Sequence, residues 1–589
     1  MAQLRTILLA ATVLSAVSSS VLAGTIEFTP IAAPTDDAAK RQVIVSPSVK
    51  IDGAEHTIKW NTLARAGQKF GDNQFGAQID AAGTRVFNQD GTPAISDGAD
   101  FTSILPVGGK IYSISHFETR PATMYLSELT QAADGTLTPV STRPIDFSSL
   151  GGLWNPCAGS VTPWNTHLGS EEYPPDARSV ENADSYADLD KEMLPMAQYF
   201  GVNTDLAPIA AFKSVFQPYK YGFPTEVSVN EAGETAVAKH YAMGRVAVEL
   251  ALVMPDKKTA YISDDGTNVG MYRFVADKEG DLSSGKLYAA KWSQTSSEGA
   301  GAADISWVDL GHGTDAEVAT ALKFGVNFSD IFETAKFNED GTCPEGFLSS
   351  NAEGRAECLK VKPGMEVFAS RLETRRYASM LGATTEFRKM EGLAFDEAGK
   401  RIFVAMSEVS SGMEDAVKDN KFDKGGRNDI KLAKNACGAV YELPLDDSYL
   451  VLGAKGFIAG KPNEYKEGAY AGQTCDIDGI ANPDNLSFIP GYNTLLIGED
   501  TGSGHQNDAS WAVNAETKAM TRITTTPYGA ENTSLDWYPD INGFAYLTTV
   551  VQHPYGESDE DKLQNPEDAR AYVGYIGPFP AFKKSAMAQ

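Results

Sequence analysis

Positive charge is scarce in this chain: 50 Lys and Arg stand against 78 Asp and Glu, for a formal net charge of −28. Such an acidic excess excludes nucleic acid and anionic membrane surfaces as partners, because the field of the protein would repel both. Long hydrophobic runs are missing as well. The one candidate, Ile7 to Val17, is too short to span a bilayer. It follows a single charge, Arg5, and precedes the small-residue stretch Val21-Leu22-Ala23, which is the layout of a secretory signal peptide over residues 1–23. No twin-arginine pair stands before it. These features predict a soluble protein in the periplasm or outside the cell, with about 565 mature residues and a charge of −29 once Arg5 is removed.

Cysteine is nearly absent, and its five copies cannot all pair within one chain in an oxidising compartment. Cys343 and Cys358 lie in one stretch rich in Gly, Pro and Asn, and Cys437 and Cys475 flank a second insertion, so two disulfides are expected. Cys157 is then left over. It is a candidate ligand or nucleophile, or else a buried apolar thiol.

What is present is a degenerate repeat. Each copy has an acidic or polar head, a short alternating strand, a turn of Asp, Pro, Asn or Gly, and a second strand rich in β-formers. Copies run from Glu391 to Glu408, from Asp484 to Asp500, from Ser534 to Thr549 and, more loosely, from Glu249 to Asp265. Hairpins recurring at wide and uneven intervals predict an all-β fold, a six-bladed β-propeller with helical insertions, better than an evenly spaced sandwich. Residues 24–589 then form one propeller domain, with excursions near 176–235, 300–385 and 410–436. Apolar spacing of three and four predicts helix within Ser179–Phe200, Asp315–Phe337 and Val367–Leu381. Asp415–Lys434 reads as a charged, mostly solvent-facing loop or helix.

In a propeller the innermost strands line the axis, so acids at equivalent positions converge although distant in sequence. Glu249, Glu391 and Asp484 each head a hairpin. Three carboxylates in one channel repel unless cations neutralise them, and oxygen ligands of this kind suit Ca2+. Bound cations would also let an acidic protein accept an anionic substrate.

Trp154-Asn-Pro-Cys157-Ala-Gly-Ser-Val-Thr-Pro-Trp-Asn-Thr-His-Leu-Gly-Ser-Glu171-Glu172 resembles the Cys-Ala-Gly-Gly-Val-Thr-Pro-Trp-Gly-Thr…Glu-Glu motif of PhoX-type alkaline phosphatases. Further elements resemble that family in the same order: Phe70-Gly-Asp-Asn73, Gly244-Arg-Val-Ala-Val-Glu249 with Tyr261-Ile-Ser-Asp-Asp265, Asn482-Pro-Asp484-Asn-Leu-Ser-Phe, and Glu531-Asn-Thr-Ser running into Gln552-His-Pro-Tyr-Gly556. The resemblance implies a secreted β-propeller phosphatase that hydrolyses small phosphate monoesters at a central calcium and iron (Ca2+, Fe3+) site. Carried over motif by motif, it makes Cys157 an iron ligand, Glu172, Glu249 and Asp484 metal ligands, Glu391 a calcium ligand, and Asp72 and Asn73 further metal-site residues. Lys389, Glu391 and Cys157 become the catalytic candidates. His167, His240 and His553 read as hydrogen-bonding residues.

The sequence departs from the family pattern where Lys389-Met390-Glu391 replaces an Arg-Pro-Glu element, where Ser160 replaces a glycine, and in the missing twin-arginine signal. A lysine meets phosphate as a point charge and lacks arginine's bidentate fork, and Arg388 beside it would face the other way on a strand. Neither a P-loop nor a serine nucleophile of the alkaline-phosphatase style is visible. Rival readings of the same acids are a calcium-dependent propeller lactonase, a phosphodiesterase or triesterase, and a non-catalytic calcium-binding propeller. A closed propeller buries its own core, so a monomer is expected.

Overall fold

Alternating apolar residues make Met390–Asp396 and Arg401–Met406 into paired strands, with the turn between them holding Gly399 and Lys400. The same logic repeats along the chain. The structure, a computed structural model, describes residues 24–88, 90–415 and 422–582. The segment read as a signal peptide, residues 1–23, lies outside the described residues.

The fold is all-β and propeller-like, built from antiparallel meanders. The first sheet runs through Ala99–Val107, Lys110–Phe117, Thr123–Gln131 and Leu137–Pro144. The second holds Ser160–Val161, His167–Gly169, Thr225–Val229 and Thr235–Lys239. A third meander begins at Val248–Val253 and a fourth at Met390–Asp396. They merge into one nine-stranded sheet because Ala302–Thr314 pairs with Gly453–Ala459. A fifth begins at Pro483–Ile489. The last runs through Glu531–Ile541, Phe544–Gln552 and Tyr572–Pro580, and is completed by Lys59–Arg65 from the other end of the chain. That pairing covers the edge of the final sheet and ties the two ends together.

The leading strands of these meanders pack side by side in a ring. Ala99–Val107 lies against Glu531–Ile541, which lies against Pro483–Ile489, then Met390–Asp396, Val248–Val253 and the second sheet, whose His167–Gly169 returns to Ala99–Val107. Apolar side chains fill the space between neighbouring sheets. Phe403, Leu486, Leu495 and Trp511 form one such layer, and Leu496, Trp537, Leu547 and Ile576 the next. Each large side chain buried this way contributes roughly 1.5–3 kcal/mol. Close approach is needed at Gly392, where an added Cβ would meet the Asp484 carbonyl oxygen at 2.6 Å.

One irregularity recurs and positions the site. The leading strand shifts register against its partner between Ala99 and Thr102, Val248 and Ala251, Met390 and Leu393, Pro483 and Leu486, and Thr533 and Asp536. Each shift sets two residues against one, a β-bulge that re-aims the side chains it carries. The first residues of the five bulges are Asp100, Glu249, Glu391, Asp484 and Ser534.

The expected helices are present in part. Ala177–Asn182, Pro195–Tyr199 and Ile209–Val215 occupy the first excursion, and Asp315–Lys323, Glu366–Leu372 and Thr374–Met380 the second. The second excursion also holds a small sheet of Phe332–Ala335, Leu348–Ala352 and Arg355–Val361, closed by the Cys343–Cys358 disulfide. Apolar spacing alone does not separate those short strands from helix. The described part of 415–434 contains no helix, and its Ile430 and Leu432 are buried, so it is not wholly solvent-facing. The second expected disulfide, Cys437–Cys475, is formed, and Cys157 is free. No helix of the described residues is long and apolar enough to cross a membrane.

Candidate functional site

The bulges send their acids to one place. Glu249, Glu391 and Asp484 bring carboxylate oxygens within 4.8 Å of one another. Cys157, on the lead-in to the second sheet, joins Glu172 and Glu249 in a second group of the same closeness, and Asp100 and Glu118 in a third. Cys157 and Glu249 each belong to two groups, so the three form one continuous centre. It opens into a cavity of about 290 Å3. Cys157, Glu172, Glu249, Glu391 and Asp484, scattered over more than 300 positions of sequence, therefore meet in one pocket.

Neighbouring groups fix these side chains. Asn155 Nδ2 donates to Glu118 Oε1 at 3.0 Å and to Glu172 Oε2 at 3.3 Å. Ser407 Oγ donates to Glu391 Oε1 at 3.0 Å, and Asn485 Nδ2 to Asp484 Oδ2 at 2.9 Å. The Cys157 backbone N–H donates to Ser170 Oγ at 2.9 Å, and its carbonyl accepts from His116 Nε2. Supporting contacts of this kind orient metal ligands.

The electrostatics are unfavourable without cations. At an effective dielectric near 20, two ionised carboxylates 4.8 Å apart repel by about 3 kcal/mol. Burial and then the charges of Glu391, Asp484, Asp100 and Asp265 hold the Glu249 carboxyl well above the usual range. Burial, then Asp500, does the same to Asp484. Burial, then Asp265, Glu118 and Glu249, raises Glu172. Asp100 is pushed up to about 7 by burial and by Glu118. Burial and the surrounding acids raise the Cys157 thiol. Both Asp100 carboxylate oxygens, Glu249 Oε1 and Asp484 Oδ1 are buried without a hydrogen-bond partner. Buried acceptors left unpaired in this way are costly, and multivalent cations are the partners that fit them.

Among the described residues, Lys389 is the one Lys or Arg lining the central cavity. Its Nζ lies 3.6 Å from Asp500 Oδ2 and 3.8 Å from Glu391 Oε1. Burial opposes its charge, but Asp500, Glu391 and Asp265 outweigh burial and hold it above the ordinary lysine range. Arg388 faces away, with Nε 3.2 Å from Glu408 and Nη1 2.5 Å from Thr267 Oγ1.

Asp72 and Asn73 are not brought to this centre. They sit on a hairpin turn where Asn73 Nδ2 donates to the Thr142 carbonyl of the first sheet's outermost strand and the Asp72 carbonyl accepts from Arg85. A short Phe-Gly-Asp-Asn match identified a turn and carried no information about distance from the axis. His167 bonds Ser103, and His240 bonds Glu226 at 2.8 Å, as hydrogen-bonding residues should. His553 stands differently. It bonds Glu531 at 2.7 Å and, with Glu531 and Glu557, forms a fourth group of possible ligands beside the same cavity.

Sequence reasoning missed Asp100, Glu118, Asp265, Asp500 and Glu531 as members of the centre. Asp100 carried a readable signal: Asp100-Phe-Thr-Ser-Ile-Leu-Pro-Val-Gly-Gly-Lys-Ile-Tyr-Ser-Ile-Ser has the acid, alternating strand, glycine turn and return strand of the other copies. Glu118 follows its return strand and had no such mark.

A protein family described as alkaline phosphatase PhoX matches residues 115–554 of this chain. No curated protein sequence matches it. Among solved structures, Pseudomonas fluorescens PhoX in complex with vanadate, a transition state analogue, overlays with a TM-score of 0.59 at 18% identity, covering 94% of this chain and 98% of that one. Saccharomyces cerevisiae Sqt1 overlays with a TM-score of 0.29 at 8% identity over 82% of this chain and 97% of that one, too loosely to bear on the fold.

Proposed function

This chain belongs to the alkaline phosphatase PhoX family, and we propose that it hydrolyses phosphate monoesters at the acidic centre, with calcium and iron as its resident metals. The observation that carries this reading is the convergence of Cys157, Glu172, Glu249, Glu391 and Asp484, drawn from four separate stretches of sequence, into one pocket. The vanadate bound by the P. fluorescens neighbour is an analogue of the phosphoryl-transfer transition state, which supports the same chemistry here. The six meanders around the axis are read as six propeller blades.

The donor sets suit two kinds of ion. Glu249, Glu391 and Asp484 offer oxygen alone and would hold Ca2+, whereas the Cys157 thiolate with Glu172, Glu249, Asp100 and Glu118 would hold a softer, more acidic ion such as Fe3+. Cations bound there supply charge that offsets the negative charge on the phosphoryl oxygens. Lys389 adds a single ammonium at the cavity wall and positions the phosphate. In the reaction the oxygen of a water bonds to phosphorus as the ester P–O bond breaks. One water proton ends on the departing alcohol, and phosphate is released. Glu391, 3.8 Å from Lys389 Nζ, keeps that ammonium aimed inward.

Export fits the two disulfides, which persist in oxidising compartments. The test combines metal analysis of the purified protein with hydrolysis of a chromogenic phosphomonoester before and after chelation. The reading expects iron with calcium, and turnover that the chelator abolishes. Calcium alone, with a Cys157→Ser variant as active as the parent, would transfer the site to a calcium-dependent lactonase or phosphodiesterase. Calcium without turnover would leave a binding protein.

A further inference from the structure

A second cavity, about 550 Å3, adjoins the centre and shares two wall residues with it, Tyr173 and Asp265. Its volume lies within the range of small-molecule sites, while the central cavity, about 290 Å3, must hold the ions and the phosphoryl group together. Lys389 and Arg388 divide between the two: the first lines the centre and the second the adjoining cavity. A phosphate ester seated on the centre would thus extend its alcohol past Tyr173.

The walls say what kind of alcohol fits. Tyr173 is 44% exposed as a residue, and its hydroxyl donates to Asp265, which fixes the far end of the ring. Its backbone is in the left-handed region at φ 42°, a conformation that bulky residues keep only when their surroundings impose it. Arg120 lies over the Trp154 ring at 5.3 Å and reaches Glu192 only at 3.4 Å, leaving its Nε buried without a partner. The acids Asp176 and Glu353 are already engaged by Arg355, and Glu353 also by Arg375. The cavity therefore offers guanidinium donors, carboxylate acceptors and the aromatic side chains of Tyr173 and Trp154, with its charges largely paired internally. Such a lining recognises a neutral ring bearing several hydroxyls and gives little to a simple alkyl chain.

We propose that this cavity is the leaving-group subsite, and that it takes the sugar ring of a phosphate monoester. The inference rests on the phosphatase reading above, so the experiment separates the two. The metal-loaded protein is assayed with ethyl phosphate, glucose 6-phosphate and adenosine 5′-monophosphate, whose alcohols differ in bulk and hydroxyl content. The parent should favour the two sugar esters in kcat/KM. Ser179→Trp, which fills the cavity from an exposed position on its rim, and Arg120→Met should each lower the ratio of sugar ester to ethyl phosphate about tenfold, the loss of one or two hydrogen bonds. A preference for glucose 6-phosphate over the nucleotide would mark a free sugar phosphate as the substrate, and the reverse a nucleoside phosphate. Ratios that stay fixed in both variants at parental Tm overturn the subsite and leave the phosphatase reading intact. Hydrolysis of none of the three esters by the parent overturns both.

Discussion

Glu171 and Glu172 are adjacent in the chain and face opposite ways. Glu171 is sealed against Lys239, with Oε1 2.7 Å from Nζ and both side chains fully buried, while Glu172 faces the acidic centre. Glu171 also accepts from the Trp154 and Gly222 backbone N–H groups at 3.0 Å each, which ties together the segments flanking the centre. The Glu171–Lys239 pair is a fixed anchor beside Glu172, the residue proposed to hold metal.

Lys239→Met should therefore cost about 3–5 kcal/mol of stability, since it strands a buried carboxylate. Burial already pushes the Glu171 carboxyl up even with Lys239 in place. Denaturant unfolding measures the loss. The paired replacement of Glu171 by Gln and Lys239 by Met should recover part of it.

Asp100 should behave oppositely in the presence and absence of metal. With both oxygens buried and unpartnered beside Glu118, it adds repulsion to the metal-free protein and, under the proposed function, would add a ligand to the loaded one. Metal-free Asp100→Asn should exceed the metal-free parent in stability by about 1–3 kcal/mol at pH 8. In the loaded state the order should reverse, with a lower bound-metal ratio by elemental analysis.

Removing the Lys389 ammonium takes away the one Lys or Arg at the cavity wall among the described residues. Lys389→Ala should raise KM for a phosphomonoester about 10- to 100-fold, the worth of one charge-assisted contact. Lys389→Arg should retain most of the affinity. Equal KM for all three proteins would remove Lys389 from substrate binding.

His240 provides a pH-dependent contribution away from the centre. Burial opposes its charge, but Asp315 and Glu226 outweigh burial and raise the imidazole to about 9. Glu226 in turn is held below the usual range; burial acts against this, and the His240 hydrogen bond overcomes it. A raised folded value means that the stabilisation is full below the unfolded value near 6.5 and lost as pH rises through about 9. The stability gap between the parent and His240→Gln should thus be widest at pH 5.5, about 3 kcal/mol, and shrink by pH 9.5.

The Cys437–Cys475 bridge closes a loop with a sequence separation of 38. Replacing both cysteines by serine should lower stability by about 3–4 kcal/mol through the freed unfolded chain. Thermal unfolding under oxidising conditions tests this.

The sequence by itself determined the local units and several of their chemical consequences. Alternation with Asp, Gly and Asn turns specified the hairpins at Glu249, Glu391 and Asp484, because strand period and turn chemistry are local properties. The odd cysteine count singled out Cys157 before any contact was known, and the spacing of the other four matched the disulfides that form. Only the tertiary structure decided which acids share the axis. Asp100 enters through a bulge whose register depends on a partner strand, Glu118 through the end of a return strand, and Asp265 and Asp500 through the segments that follow two more. Asp72 and Asn73, acceptable ligands by residue type, are kept on an outer hairpin by the Thr142 carbonyl. Whether a carboxylate meets others or meets water depends on how the sheets close around the axis, and closure is a property of the whole chain, set when Lys59–Arg65 pairs with Tyr572–Pro580.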